Sequence, residues 1–99
     1  MKRTSTAAEK RHLARVAAMP CCLCVHLGWG ETSAEVHHVR TKHGWGRSSH
    51  FDTIPLCAFH HRDGQHGVHG MGRDEFTNLY GISELELLER TKQELQEAA

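Results

Sequence analysis

Two amphipathic stretches bracket a centre that has no helical period of its own. Near the start, Ala7, Leu13, Ala14, Val16 and Ala17 make a modest apolar stripe over residues 4–18. Thr6 and Glu9 stand at capping-box spacing before it, and Pro20 marks its end, so the pattern predicts a helix. At the other end, Ser83 and Glu86 repeat the capping box and open a helix carrying Leu85, Leu87, Leu88 and Leu95. Just before it, Phe76, Leu79 and Tyr80 fall at helical spacing over residues 73–80, and Gly81 closes that segment. The centre holds two short β-type runs, Val36–Val39 and Thr53–Cys57. Pro55 keeps the second at an edge or near a bulge. Ala58–Arg62 reads as a short helix or turn, stopped by Asp63-Gly64. Residues 27–34, 41–50 and 64–72 read as loops, and the last of them holds four glycines, as expected of chain wrapped closely around something.

Composition changes this picture in one way: the core is thin. A chain of 99 residues forms one domain and buries only about 60–65% of its unfolded surface. Aromatic residues make up 6% and the mean hydropathy is −0.54, so a staple is expected. No apolar segment follows Met1-Lys2-Arg3 in the manner of a secretory signal, and no run approaches 18 apolar residues. The expectation is a cytoplasmic protein that does not span a membrane, whose four cysteines bind metal rather than pair as disulfides. The formal net charge is zero, which argues against a uniformly basic nucleic-acid binder, yet the charge is uneven. Residues 40–73 carry five Lys/Arg against two Asp, a net of +3, and residues 74–99 carry two Lys/Arg against seven Asp/Glu, a net of −5. A locally basic, histidine-rich centre suits a phosphate-bearing substrate.

The staple is legible in the cysteines. Cys21 and Cys24 form one knuckle of C-x2-C spacing; Cys57 and His60 form a second, with 32 residues between them. Two such knuckles match a four-ligand tetrahedral site, and thiolate with imidazole favours zinc over magnesium or calcium. Cys22 lies inside the first knuckle, points elsewhere and serves as a small packing residue.

Five further histidines are not needed by that zinc: His37 and His38 on the first strand, then His61, His66 and His69. A binding-only zinc module has no reason to place a His-His pair between its knuckles. Together the residues resemble the HNH, or ββα-metal, nucleases, in which a strand with two polar catalytic residues is followed by a loop, a second strand and a helix with further metal ligands. More closely, Cys21-Cys22-Leu23-Cys24, Val36-His37-His38-Val39, the run from Thr53 to Gly64, Gly67-Val68-His69 and Phe76 through Tyr80-Gly81 are similar to the phage recombination-enhancement (Ref) nucleases. The resemblance covers roughly residues 20–90.

The resemblance implies an α+β, zinc-stapled ββα-metal (HNH) fold with flanking helices: an N-terminal helix in residues 1–19 and the nuclease domain with its C-terminal helices in residues 20–99. It implies a metal-dependent DNA endonuclease, of which a nickase is one form, acting in phage recombination or DNA processing within a bacterial host cell. The implied partners are DNA and a RecA-type recombinase filament. His37 is then a ligand of the catalytic ion, which His61 and His69 complete; Mg2+, Mn2+ and Zn2+ all stay open for that ion. Phosphodiester hydrolysis also needs a base near working pH, and His38 is expected to be it. Adjacent strand residues point to opposite faces, so His37 and His38 need a distorted strand end to serve one site. Asp52 occupies the middle position of the motif, where Asn is common, and is expected to orient His38 or the loop. Lys42, Arg47 and Arg62 are expected to contact DNA phosphates. His43 and His50 read as surface or phosphate contacts, and Trp45 as a plug at the core edge. The rival class is a non-catalytic zinc-binding adaptor for nucleic acid or protein, separated from the first by the absence of a second metal.

Overall fold

The computed structural model describes residues 5–41 and 49–98. The expected first helix is α1, Ala7–Ala17, and its capping box is formed: the Thr6 hydroxyl accepts from the Glu9 N–H while the Glu9 carboxylate accepts from the Thr6 N–H. Only Val16 of this helix is fully buried, so its stripe is a seam rather than a core face. The first knuckle is tighter than a loop. Cys21 caps a short helix, α2 (Cys22–His26), its Sγ accepting from the Cys24 N–H at 3.4 Å. Strands β1 (Glu35–His38) and β2 (Thr53–Leu56) then pair antiparallel, with His37 opposite Ile54 and His38 opposite Thr53. Pro55 sits opposite Val36 in regular register; in a two-stranded sheet every strand has a free edge, so its missing N–H breaks no ladder on the far side.

Helix α3 (Ala58–His61) follows β2 directly, with Cys57 as its N-cap. The glycine-rich segment expected as loop instead contains a helical turn, α4 (Val68–Met71). It is followed by α5 (Arg73–Tyr80), closed by Gly81 at φ +72, and α6 (Glu84–Glu97), whose Ser83–Glu86 capping box is formed. Helix α6 buries Glu84, Leu87, Leu88, Thr91 and Leu95, a stripe of helical period. Leu85 lies off that stripe and is half exposed, as is Leu79 on α5, so both fall outside the apolar faces expected for them.

All four residues of β2 are buried, because α1, α2 and α6 all pack on that strand. The core gathers Leu23, Val39, Ile54, Leu56, Val68, Phe76, Ile82, Leu87 and Leu88 around Cys21 and Cys24. Arg15 bolts α1 to α6 by donating to the Leu95 carbonyl at 2.8 Å. Cys22 is half-buried against the core, and burial raises its thiol well above the usual range, the inert state of a packing cysteine. Among the described residues no helix is long and apolar enough to cross a membrane.

Candidate metal centres and catalytic site

Cys21, Cys24, Cys57 and His60 converge in the core, the first two from α2 and its cap, the others from the start of α3. The Cys24 and Cys57 sulfurs are 3.7 Å apart, and His60 Nδ1 lies 3.8, 3.5 and 3.3 Å from the sulfurs of Cys21, Cys24 and Cys57. Ligands at Zn–S and Zn–N bond lengths around one tetrahedral ion stand about 3.5–3.8 Å apart, so the donor set fits zinc in both chemistry and spacing. Burial pushes the Cys24 thiol up to about 12, and a divalent cation held there would be what makes the thiolate favourable. Burial also lowers His60, keeping the imidazole in the neutral form that ligates. Its Nε2 is buried with no hydrogen-bond partner among the described residues, and its ring meets Tyr80 edge-on at 5.3 Å.

A second convergence lies beside the first. His37 from β1, His61 from the end of α3 and His69 from α4 bring their ring nitrogens within 4.8 Å of one another. His61 Nε2 and His69 Nε2 are 3.0 Å apart, the spacing of two nitrogens about 2.1 Å from one ion at a right angle. His37 is buried and His69 exposed, so the cluster opens to solvent on the α4 side. Burial and the neighbouring histidines lower the His69 pKa, again favouring the neutral ring. Behind the cluster stand two carboxylates. Glu35 accepts from His61 Nδ1 at 2.8 Å, which leaves Nε2 to face His69, and this hydrogen bond foremost holds the Glu35 carboxyl below its usual range. Glu84, buried at the first turn of α6, meets His37 Nε2 at 3.2 Å.

Glycine positions α4. A Cβ on Gly70 would stand 2.5 Å from the Gly64 Cα, and one on Gly67 would stand 2.7 Å from the Asp63 nitrogen. The close wrapping expected of this segment is therefore around its own backbone at residues 61–64. Gly70→Ala should push α4 outward, separate His69 from His61 and weaken binding of an ion at the three histidines, while the Cys21–His60 cluster keeps its zinc. Metal stoichiometry of the purified variant checks this; two tightly bound ions per chain would contradict it.

His38 sits elsewhere. Strand β1 is regular through its last residue, and Val39 N–H continues the pairing to the Asp52 carbonyl at 2.8 Å. No distortion turns His38 toward His37: the one is exposed, the other buried. The His38 ring meets His50 instead, Nε2 to Nδ1 at 2.9 Å, and His50 Nε2 lies 3.2 Å from the Ser5 hydroxyl. Burial, then the charges of His50 and His37, lowers the His38 pKa. The Asp52 carboxylate accepts from Thr41 at 3.3 Å and Lys92 at 2.8 Å, which ties the loop to α6 rather than touching His38. Arg62 is exposed and forms a two-point pair with Glu35. Lys42, Arg47, His43 and Trp45 lie outside the described residues. His66 is not part of the cluster: it stacks on Phe59 and meets Asp63 at 2.9 Å.

Residues 5–96 match the family model described as recombination enhancement, RecA-dependent nuclease. The chain belongs to that family. Its description names a nuclease, a role in recombination enhancement and a link to RecA, and the match runs from the cap of α1 almost to the end of α6. Glu35 and Glu84, which meet the three-histidine cluster, carried no assigned role in the sequence, and His50 was expected only as a surface or phosphate contact. Glu35 borders the His-His pair without a spacing signal. His50 looked like an ordinary loop histidine. Glu84 follows a capping serine, where an acidic residue is expected for the helix dipole alone.

Proposed function

We propose that this member of the family is a metal-dependent DNA endonuclease of the HNH, or ββα-metal, type, with nicking of one strand as its elementary act. The observation that carries the reading is the convergence of His37, His61 and His69 from three separate elements, next to a Cys3His cluster that already meets the needs of a structural zinc. A zinc-binding adaptor leaves that second convergence without a purpose. The order β1, β2, α3, with the pair of histidines on β1 and a ligand at the end of α3, is that expected of a ββα-metal site.

In this reading the three histidines hold a divalent ion, whose chemistry when bound is to relieve charge on the scissile phosphate and the leaving 3′ oxygen. Everything else is done by the chain. His38 takes the proton of the attacking water. Its Nε2 faces His50, so Nδ1 is the nitrogen free to accept. The substrate phosphate lies across the end of β1, reaching both the buried and the exposed face. Lys42, Arg47 and Arg62 hold flanking phosphates, in binding that salt weakens. The family description names dependence on RecA, and in this reading a RecA-type filament presents the DNA strand in the cell.

The test is conversion of supercoiled plasmid to nicked circle by the zinc-loaded chain with added Mg2+ or Mn2+, with and without a RecA filament. No cleavage in any of these, by protein shown to bind a second ion, would overturn the proposal. The rate should also report His38. Its pKa lies below the ordinary 6.5 because of burial, so the base stays neutral further into acid. The acid limb of the pH–rate profile is therefore expected below 6.5; a limb at or above it would remove His38 as the base.

A further inference from the structure

The Glu84 carboxylate is 4% exposed and is the buried acidic group that the mechanism above does not use. Its oxygens meet His37 Nε2 at 3.2 Å and, more distantly, Arg73 Nε at 4.0 Å. Taking a carboxylate out of water is unfavourable unless positive charge and hydrogen bonds compensate it. Among the described residues, one imidazole nitrogen at 3.2 Å and one guanidinium at 4.0 Å are its only cationic or hydrogen-bonding side-chain partners. A divalent ion held by three neutral rings needs the reverse, a nearby negative charge.

We propose that Glu84 is a positioning residue for the three-histidine ion: it fixes the tautomer and orientation of His37 and offsets the ion's charge from behind. Glu84 is not one of the three side chains whose ligand atoms lie within 4.8 Å of one another, and its close contact is to His37 Nε2, so the proposal assigns it to His37 and not to the ion as a fourth ligand. With Nε2 engaged by Glu84, His37 turns Nδ1 toward the ion. Glu35 makes the same contact on His61 from the opposite side, through Nδ1. Each carboxylate thus engages one nitrogen of its histidine and would leave the other for an ion: Nδ1 of His37, and Nε2 of His61, which lies 3.0 Å from Nε2 of His69. The consequence for the fold is that α6, through its first turn, is part of the metal site.

This rests on the three-histidine cluster being an ion site, and the experiment separates the two. The full chain is loaded with zinc at the Cys3His cluster. The second site is then titrated with Co2+, followed by d–d absorption, and with Mn2+, followed by calorimetry. Glu84→Gln keeps the shape and removes the charge; affinity for the second ion should fall about 10–100-fold, with an altered Co2+ spectrum and unchanged zinc content. Glu84→Asp keeps the charge but withdraws it by one methylene, and should lose affinity as well, which holds the test open if the Gln variant does not fold. In a His37→Ala background, Glu84→Gln should cost less than in the wild-type chain, because the ring it positions is gone and only its charge still acts on the ion; an equal loss in both backgrounds would overturn the positioning role. A wild-type chain that binds two ions, with Glu84→Gln and Glu84→Asp binding the second as tightly, overturns the role of Glu84 alone. A wild-type chain that binds only one ion overturns the metal reading and this inference with it.

Discussion

Cys24→Ala or Cys57→Ala should abolish the native fold, and strong chelation of the wild-type chain should do the same. Each variant leaves three candidate ligands at a site whose four donor atoms all lie within 4.8 Å of one another. A structural zinc contributes about 10–16 kcal/mol apparent binding energy. The whole stability of a domain is about 5–15 kcal/mol. Loss of the ion is therefore comparable to everything that holds the chain together, and this core has little in reserve. Cys21 and Cys24 are themselves core residues, packed with Leu23, Ile54 and Leu56, so the cluster and the apolar core are one object. Cys22→Ala is the internal control. Cys22 is half-buried and outside the cluster, so its truncation should destabilise by about 1 kcal/mol, an ordinary effect of a point change. Circular dichroism and bound zinc, measured on all three variants, decide the matter. Native helix content and an unchanged melting point in Cys24→Ala would exclude the structural zinc.

His38→Ala should lower DNA cleavage by about 10²–10⁴-fold, the usual contribution of a general base, without loss of fold, zinc or DNA affinity. His38 ends β1 on the exposed face and contributes no ligand atom to either convergence, so its truncation removes the contact with His50 but leaves both clusters intact. His37→Ala, His61→Ala and His69→Ala should behave differently. Each removes one nitrogen from the three-histidine cluster, so affinity for the second ion should drop and excess metal should restore part of the cleavage. His38→Ala should not recover with metal. The measurement is plasmid nicking across a titration of Mg2+ and Mn2+ for all four variants. Full activity in His38→Ala would sink the mechanism as assigned. Rescue of His38→Ala by metal would mean that base and ligand are exchanged within the pair.

The elements were legible wherever a local rule governs them. Both capping boxes formed, because the hydroxyl and the carboxylate three residues on need only each other. Gly81 closed α5 in the left-handed conformation that its lack of Cβ allows. The Cys3His grouping follows from two x2 spacings, since a knuckle presents both its ligands from one turn. The helical turn α4 was not legible. Its glycines argue for loop by intrinsic preference, and only packing against residues 61–64 makes them helical.

The sequence by itself picked out which residues converge: the Cys3His group by spacing, and a surplus of histidines beyond it. The alternation of β1 was legible as well, but the distorted strand end expected to bring His37 and His38 to one site is not formed, and the two part company. What those histidines face was decided by tertiary structure alone. His69 meets His61 only because glycine backbones touch. His38 meets His50 across a loop whose partner residues carry no periodic mark. Glu84 lies 47 residues from His37, on a helix whose first turn favours an acidic residue anyway, so its burial against the ring left no trace in the pattern. Spacing encodes contacts closed within one turn or one strand pair; contacts closed by packing separate elements are set by the shape of the whole core, and no local stretch of sequence records them.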